Sequence, residues 1–193
     1  MAEKTRKTAE IATFATADLA QSGHGAVLVA VPAGKTRARL ATFVVDTQCL
    51  GIRKVTLSEL PLPTLLNQGL AALHAIPVAP SMARSIVEGS AAYAKKLGFP
   101  PPSNYAAAIA YFGETPAAPA APFQFGKNGS PHYAQQPGDS DEFAENVIQK
   151  LNLKLGPKNF TYELEATAEQ WVDGEEAEDS GEFGDSGGED GEE

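Results

Sequence analysis

Carboxylates at the ends of apolar runs, one thiol and three histidines are the side chains of this sequence that could do chemistry. Asp46 closes the apolar run "ATFVVD", and a carboxylate at the end of a central strand is where many two-metal nucleases present a ligand. Such a centre needs further acids converging in space, and Glu59, Glu88, Asp139 and Asp141 are the candidates. The competing reading is that Asp46 opens the turn "DTQCLG" and hydrogen-bonds its own backbone, as Asp commonly does. The turn is favoured. Cys49 lies inside it, and a thiol nucleophile wants a nearby base and an electropositive pocket. His24, His74 and His132 are the only histidines and none has a local partner motif, so Cys49 reads as a small buried hydrophobe. The catalytic candidates are therefore Asp46, His132 and Cys49, with Asp46, Glu88, Asp139 and Asp141 as an alternative metal set; the favoured reading has neither metal nor cofactor.

The stretch "FQFGKNGSPHYAQQPGDSDEF" (123–143) gathers aromatics, a turn, a histidine and acids. Asn128-Gly129 is a strong hairpin turn dipeptide, and Lys127, Asn128, His132 and Tyr133 around it form the best candidate contact surface. Asp139 and Glu142 have capping-box spacing for a following helix, which gives both acids a structural task. Gly34-Lys35-Thr36 ends like a phosphate loop, but position 29 carries Val29 where that loop needs glycine, so a hairpin turn explains the segment. Tyr93, Lys95, Lys96, Phe99 and Tyr105 mix bases with aromatics as single-strand binders do, although Tyr93 and Phe99 are needed by a helix face and its stop.

The elements that must position these residues begin with a thin amphipathic pattern at 8–21 that predicts an N-terminal helix within residues 1–24, ended by Ser22-Gly23. Residues 25–32 and 36–47 read as a β-hairpin around "AGK", and "IRKVTLSEL" as a third strand. Leu65, Leu66, Leu70, Leu73 and Ile76 fit a helix opened at Pro63 and stopped before Pro77. A second helix runs from Ser81 as cap to Leu97, stopped in Schellman fashion by Gly98 and Phe99. "YAAAIAYFG" makes a third, and 114–122 is a Pro/Ala surface loop. A second hairpin is expected over 123–125 and 131–134, then a helix carrying Phe143, Val147, Ile148 and Leu151, and a last strand at 159–166. The sum is a single α+β domain over 25–172, a mainly antiparallel sheet of two hairpins packed by about four helices.

The formal charge of −10 is not spread evenly. Residues 173–193 hold 11 acids and no Lys or Arg, leaving 14 acids against 15 bases in 1–172. This tail is expected to be disordered, with Phe183 as its one apolar anchor for a partner. A near-neutral body argues against a strong electrostatic grip on nucleic acid. With a single cysteine no intrachain disulfide forms, and a reducing cytoplasm is the expected compartment. The N-terminal stretch has no apolar h-region, Glu10 and Asp18 argue against a transit peptide, and no run has the length of a membrane span.

In this order, "FVVDTQCLGIRKV", "VEGSAAYAKKLGFPPPSNY" and "FQFGKNGSPHY" resemble segments of a family of uncharacterised bacterial proteins, over roughly residues 25–165. The resemblance implies a bacterial cytoplasmic origin and a single domain, with no catalytic residue to carry over. The expected function is a non-enzymatic binding or accessory protein acting through protein contacts. The alternatives are a metal-dependent hydrolase or nuclease built on Asp46, and a weak nucleic-acid-binding module using Lys95, Lys96, Tyr105 and Lys127.

Overall fold

The computed structural model describes residues 11–65, 69–119 and 124–165. Its first strand, β1 (Ala12–Thr16), falls where the sequence predicts a helix. The reason is visible in "ATFAT": Thr13 and Ala15 are buried while their neighbours are not, a period of two that suits a strand. Thr13 tolerates burial because its hydroxyl donates to the Val78 carbonyl at 2.7 Å. Helix survives only as the single turn α1 (Leu19–Ser22), stopped by Gly23 at φ 77°.

The expected hairpin forms between β2 (His24–Pro32) and β3 (Arg37–Asp46), paired from His24 opposite Asp46 to Pro32 opposite Ala38. Gly34, at φ 87°, turns its tip, so the would-be phosphate loop is a hairpin end and Val29 is fully buried core. The third strand also forms, as β4 (Gly51–Pro61). The predicted helix from Pro63 to Ile76 is cut short: residues 62–65 and 69–72 have helical geometry, 66–68 lie outside the described residues, and nothing helical continues past Leu73. Short turns α2 (Leu62–Thr64) and α3 (Leu70–Ala72) are followed by His74 at φ 44° and by β5 (Ala75–Pro77). A left-handed residue ends helical geometry, and Ile76 instead pairs with Ala15 of β1. The sheet is antiparallel throughout, in the order β4-β3-β2-β1-β5.

One face of this sheet, through Ala15, Val27, Val29, Ala41, Phe43, Val45 and Val55, packs on α4 (Pro80–Leu97), on α5 (Tyr105–Ile109) and on the 3-10 turn Ala110–Phe112. Phe43 and Phe112 are fully buried and stacked, each burial stabilising by roughly 2–3 kcal/mol. Helix α4 starts with extended Ala79 as its cap and Pro80 in its first turn, so the cap lies two residues before the expected Ser81. It stops as expected: the Phe99 N–H donates to the Ala94 carbonyl and that of Gly98 to Lys95, the Schellman pattern. At one end of the opposite face Ala30, Ala38 and Leu40 are covered by Leu62, Leu65 and Leu70. Edge strand β4 is blunted by side chains, since Asn104 Nδ2 donates to the Val55 carbonyl and Arg37 Nη2 to that of Glu59; such capping hinders edge-to-edge pairing. Beyond α5, residues 114–119 are held to α4 by Arg84 and Ser85.

The last third builds a second core. β6 (His132–Ala134) and β7 (Thr161–Glu163) pair in parallel as a separate two-stranded sheet, flanking α6 (Asp141–Leu155). The second hairpin therefore reduces to its turn, and the last strand does not extend the main sheet; Phe123 lies outside the described residues. Tyr133, Val147, Leu151 and Phe160 pack with Cys49, Leu50 and Leu97. The two cores are joined through the turn that leads from β3 into β4. The acidic tail lies outside the described residues, and among those described no helix is long and apolar enough to cross a membrane.

Candidate functional site

Asp46 is 1% exposed at the end of β3, and its carboxylate is used up by its own turn. Oδ1 accepts the N–H groups of Gln48 (2.8 Å) and Cys49 (2.9 Å), and Oδ2 accepts that of Leu50 (3.0 Å). Charge-assisted bonds of this kind are the strong ones, and they satisfy three donors that the tight turn would otherwise leave unpaired. The reading of "DTQCLG" as an Asp-headed turn describes what the residue does. Gly51 follows at φ 69°, where an added Cβ would stand 2.5 Å from that of Ala94. The turn is thereby pressed onto α4.

His24 stands across the strand pair from Asp46. Its Nδ1–H donates to the Ser22 carbonyl at 3.0 Å, which leaves Nε2 facing Asp46 Oδ1 at 3.7 Å, an ion-pair distance rather than a hydrogen bond. Burial is the largest single influence and works against the charged ring, but the Asp46 carboxylate and the Ser22 carbonyl together leave the His24 pKa raised. Cys49 is fully buried. Burial first, and then the charge of Asp46, push its thiol far up, so the nucleophilic thiolate is suppressed.

The Asn128-Gly129 turn is present, with both residues at positive φ and reciprocal bonds between Lys127 and Ser130, as a type I′ turn requires. It is tied to the Asp46 turn by the N–H groups of Gly126 and His132, which donate to the carbonyls of Thr47 and Gln48. Of the four contact residues read from the sequence here, Lys127 and Asn128 are exposed, while His132 and Tyr133 are buried. They are drawn inward because residues 132–134 form a strand beneath α6 rather than a hairpin arm. Lys127 Nζ donates to His132 Nε2 (3.3 Å) and to Glu163 Oε1 (2.7 Å), and His132 Nδ1 donates to Thr161 Oγ1 (2.8 Å). Burial and the Lys127 ammonium lower the His132 pKa; Lys127 in turn holds the Glu163 carboxyl below its usual range.

Asp139 is not the helix cap. That place belongs to Ser140, whose Oγ accepts the Phe143 N–H, so the predicted box is out by one residue. Asp139 instead accepts from Arg53, from the Tyr133 hydroxyl and from the Gln136 N–H. Burial, followed by Asp139, pushes the Tyr133 phenol up. Asp141 accepts from Gln135, and Glu88 pairs with Arg84 one turn earlier on α4. Each acid of the alternative metal set thus has its own partner, and among the described residues no three His, Cys, Asp or Glu side chains meet in a group that could hold a metal ion.

Tyr93 stacks on Phe125 at 5.8 Å, and burial raises its pKa to about 12. Phe183 lies outside the described residues. Concave surfaces lie elsewhere on the described residues. A cleft of about 500 Å³ sets Arg39 over the Tyr111 ring beside Phe112 and Glu114, and a groove of about 330 Å³ runs between Phe99 and Phe143.

The chain was compared with protein-family models, with curated proteins and with solved structures. It matches none of them.

The pairings of His24 with Asp46 and of Arg53 with Asp139 are among the features that sequence reasoning passed over. A signal for His24 existed: pairing His24 with Asp46 follows from counting outward along the hairpin from its tip. Arg53 offered none, because Asp139 is 86 residues away.

Proposed function

We propose that this is a non-enzymatic binding or accessory protein that engages another protein through the corner where the Asn128 turn meets β7. The observation that carries this reading is the pair Tyr162 and Leu164, 51% and 50% exposed on either side of Glu163, whose carboxylate Lys127 holds. An aromatic and an aliphatic anchor with a polar rim is the composition of protein contact surfaces. The catalytic candidates support the same reading from the other side. Asp46 is occupied by backbone donors, Cys49 is a buried thiol, and His132 is enclosed between Lys127 and Thr161. A reducing cytoplasm suits a chain whose single cysteine is buried.

The test is native purification of the tagged full chain in parallel with a Tyr162→Ser, Leu164→Ser double variant. A protein recovered in stoichiometric amount with the first and lost from the second is the expected result. Recovery of nucleic acid alone, or of a partner indifferent to the two substitutions, contradicts the reading.

A further inference from the structure

Helix α6 is two-sided in charge. Phe143, Lys150 and Lys154 fall on one stripe by helical spacing, whereas Glu142 and Glu145 line a different face with Asn146, Gln149 and Asn152. Phe143, at the head of that stripe, lines the groove that runs to Phe99 and is also lined by Leu50, Ile52 and Pro102. Lys150 Nζ lies 5.0 Å from the centre of the Phe99 ring, and Arg53 stacks over Phe143. Lys95 and Lys96, in the last turn of α4, lead directly into Phe99. Arg53 is neutralised by Asp139. Among the described residues, Lys95, Lys96, Lys150 and Lys154 have no ion-pair partner. The result is an apolar groove with the ammonium of Lys150 on its Phe99 wall and further lysines without ion-pair partners on the helix that leads into Phe99 and on the one that carries Phe143.

The same chain carries the complementary segment. Residues 173–193 contain 11 acids, no base, and Phe183 as their one aromatic. The chain leaves the described fold close to the groove: the Glu165 N–H donates to Gln135 Oε1, Gln135 Nε2 donates to the Asp139 carbonyl, and Asp139 holds Arg53. Phe183 lies eighteen positions beyond Glu165, and a flexible chain of that length has a root-mean-square span of roughly 24 Å. At such a tether a weak contact is made at an effective concentration on the order of millimolar.

We propose that residues 173–193 dock on this groove of their own chain, with Phe183 between Phe99 and Phe143 and the acids against Lys95, Lys96, Lys150 and Lys154. This surface is separate from the Tyr162 corner, so the inference stands independently of the proposed function. Docking withholds the basic face from other anionic ligands until salt or a stronger competitor releases the tail.

The experiment uses the full chain with Ser180→Cys carrying a spin label; Cys49, fully buried, stays unlabelled. At low salt the amide signals of Phe99, Phe143 and Lys150 are expected to lose intensity. High salt, Phe183→Ala and the exposed-site variant Lys150→Glu are each expected to restore them. Attenuation that is absent, that falls on the Arg39 cleft or the Lys127 turn, or that arises only between mixed molecules overturns the proposal. So does a single-stranded oligonucleotide that perturbs the groove amides equally in wild-type and Phe183→Ala chains while the label attenuates nothing.

Discussion

His24 and His132 sit at two ends of one connection and meet opposite surroundings. His24 donates from Nδ1 to the Ser22 carbonyl and turns Nε2 to the carboxylate of Asp46; His132 accepts from an ammonium at Nε2 and donates from Nδ1 to Thr161. The first environment favours the charged ring and the second the neutral one, so the two pKa values move apart. The difference teaches what the chemistry-capable residues are for. Between the histidines, the Asp46 turn and the Asn128 turn are stitched by Gly126 and His132 N–H groups, and the charges lock this stitching in place.

The comparison breaks most severely at Asp46. Asp46→Ala leaves the N–H groups of Gln48, Cys49 and Leu50 without their acceptor in a buried turn, and a loss of about 3–5 kcal/mol is expected from charge-assisted bonds of this kind. Urea unfolding measures it. The same substitution should remove the upward shift of His24, read by NMR titration of its ring.

A smaller and more diagnostic effect is the opposite pH dependence of the two histidines. With its pKa raised in the folded state, His24 contributes stability that is fully present below the unfolded value of 6.5 and is lost as pH rises through the folded value. His132, lowered, does the reverse: it favours folding above 6.5 and costs stability as pH falls below it. His24→Gln should therefore make the protein more sensitive to mild acid, and His132→Gln less so, in unfolding midpoints compared at pH 5 and pH 8. Equal responses would sink the assignment of opposite environments.

The smallest expected change is at the surface. Lys127→Gln removes the ammonium beside His132 and should move that histidine's pKa upward, with little change in stability, because an exposed pair with Glu163 contributes little. A ring titration alongside the unfolding curve separates the two.

Features set by neighbours in sequence were legible beforehand. The β2-β3 hairpin, the Gly98-Phe99 stop, the Asp46 turn and the Asn128-Gly129 turn each depend on a few adjacent residues. What was not legible depends on distant partners. "ATFAT" becomes a strand because β2 and β5 lie on either side of it, and the helix expected to reach Ile76 stops before a left-handed His74 because residues 75–77 pair with β1. Asp139 had helix-cap spacing, but Arg53 and Tyr133 claim it and leave the cap to Ser140. Tyr133 was read as exposed because its parallel partner β7 lies nearly thirty residues further along the chain. Of the candidate site, Lys127 and Asn128 were found by turn chemistry; Tyr162 and Leu164 could not be, since alternation in a strand says which residues share a face and not which face is covered.

The most direct test of whether Asp46 is a fastener or a metal ligand is thermal unfolding of the wild-type and Asp46→Ala chains, each with a chelator and with Mn²⁺ or Mg²⁺. The expected result is a midpoint that falls steeply on substitution and does not respond to metal in either chain. A wild-type midpoint raised by metal, with that rise abolished in a variant otherwise as stable as the wild type, would contradict the account.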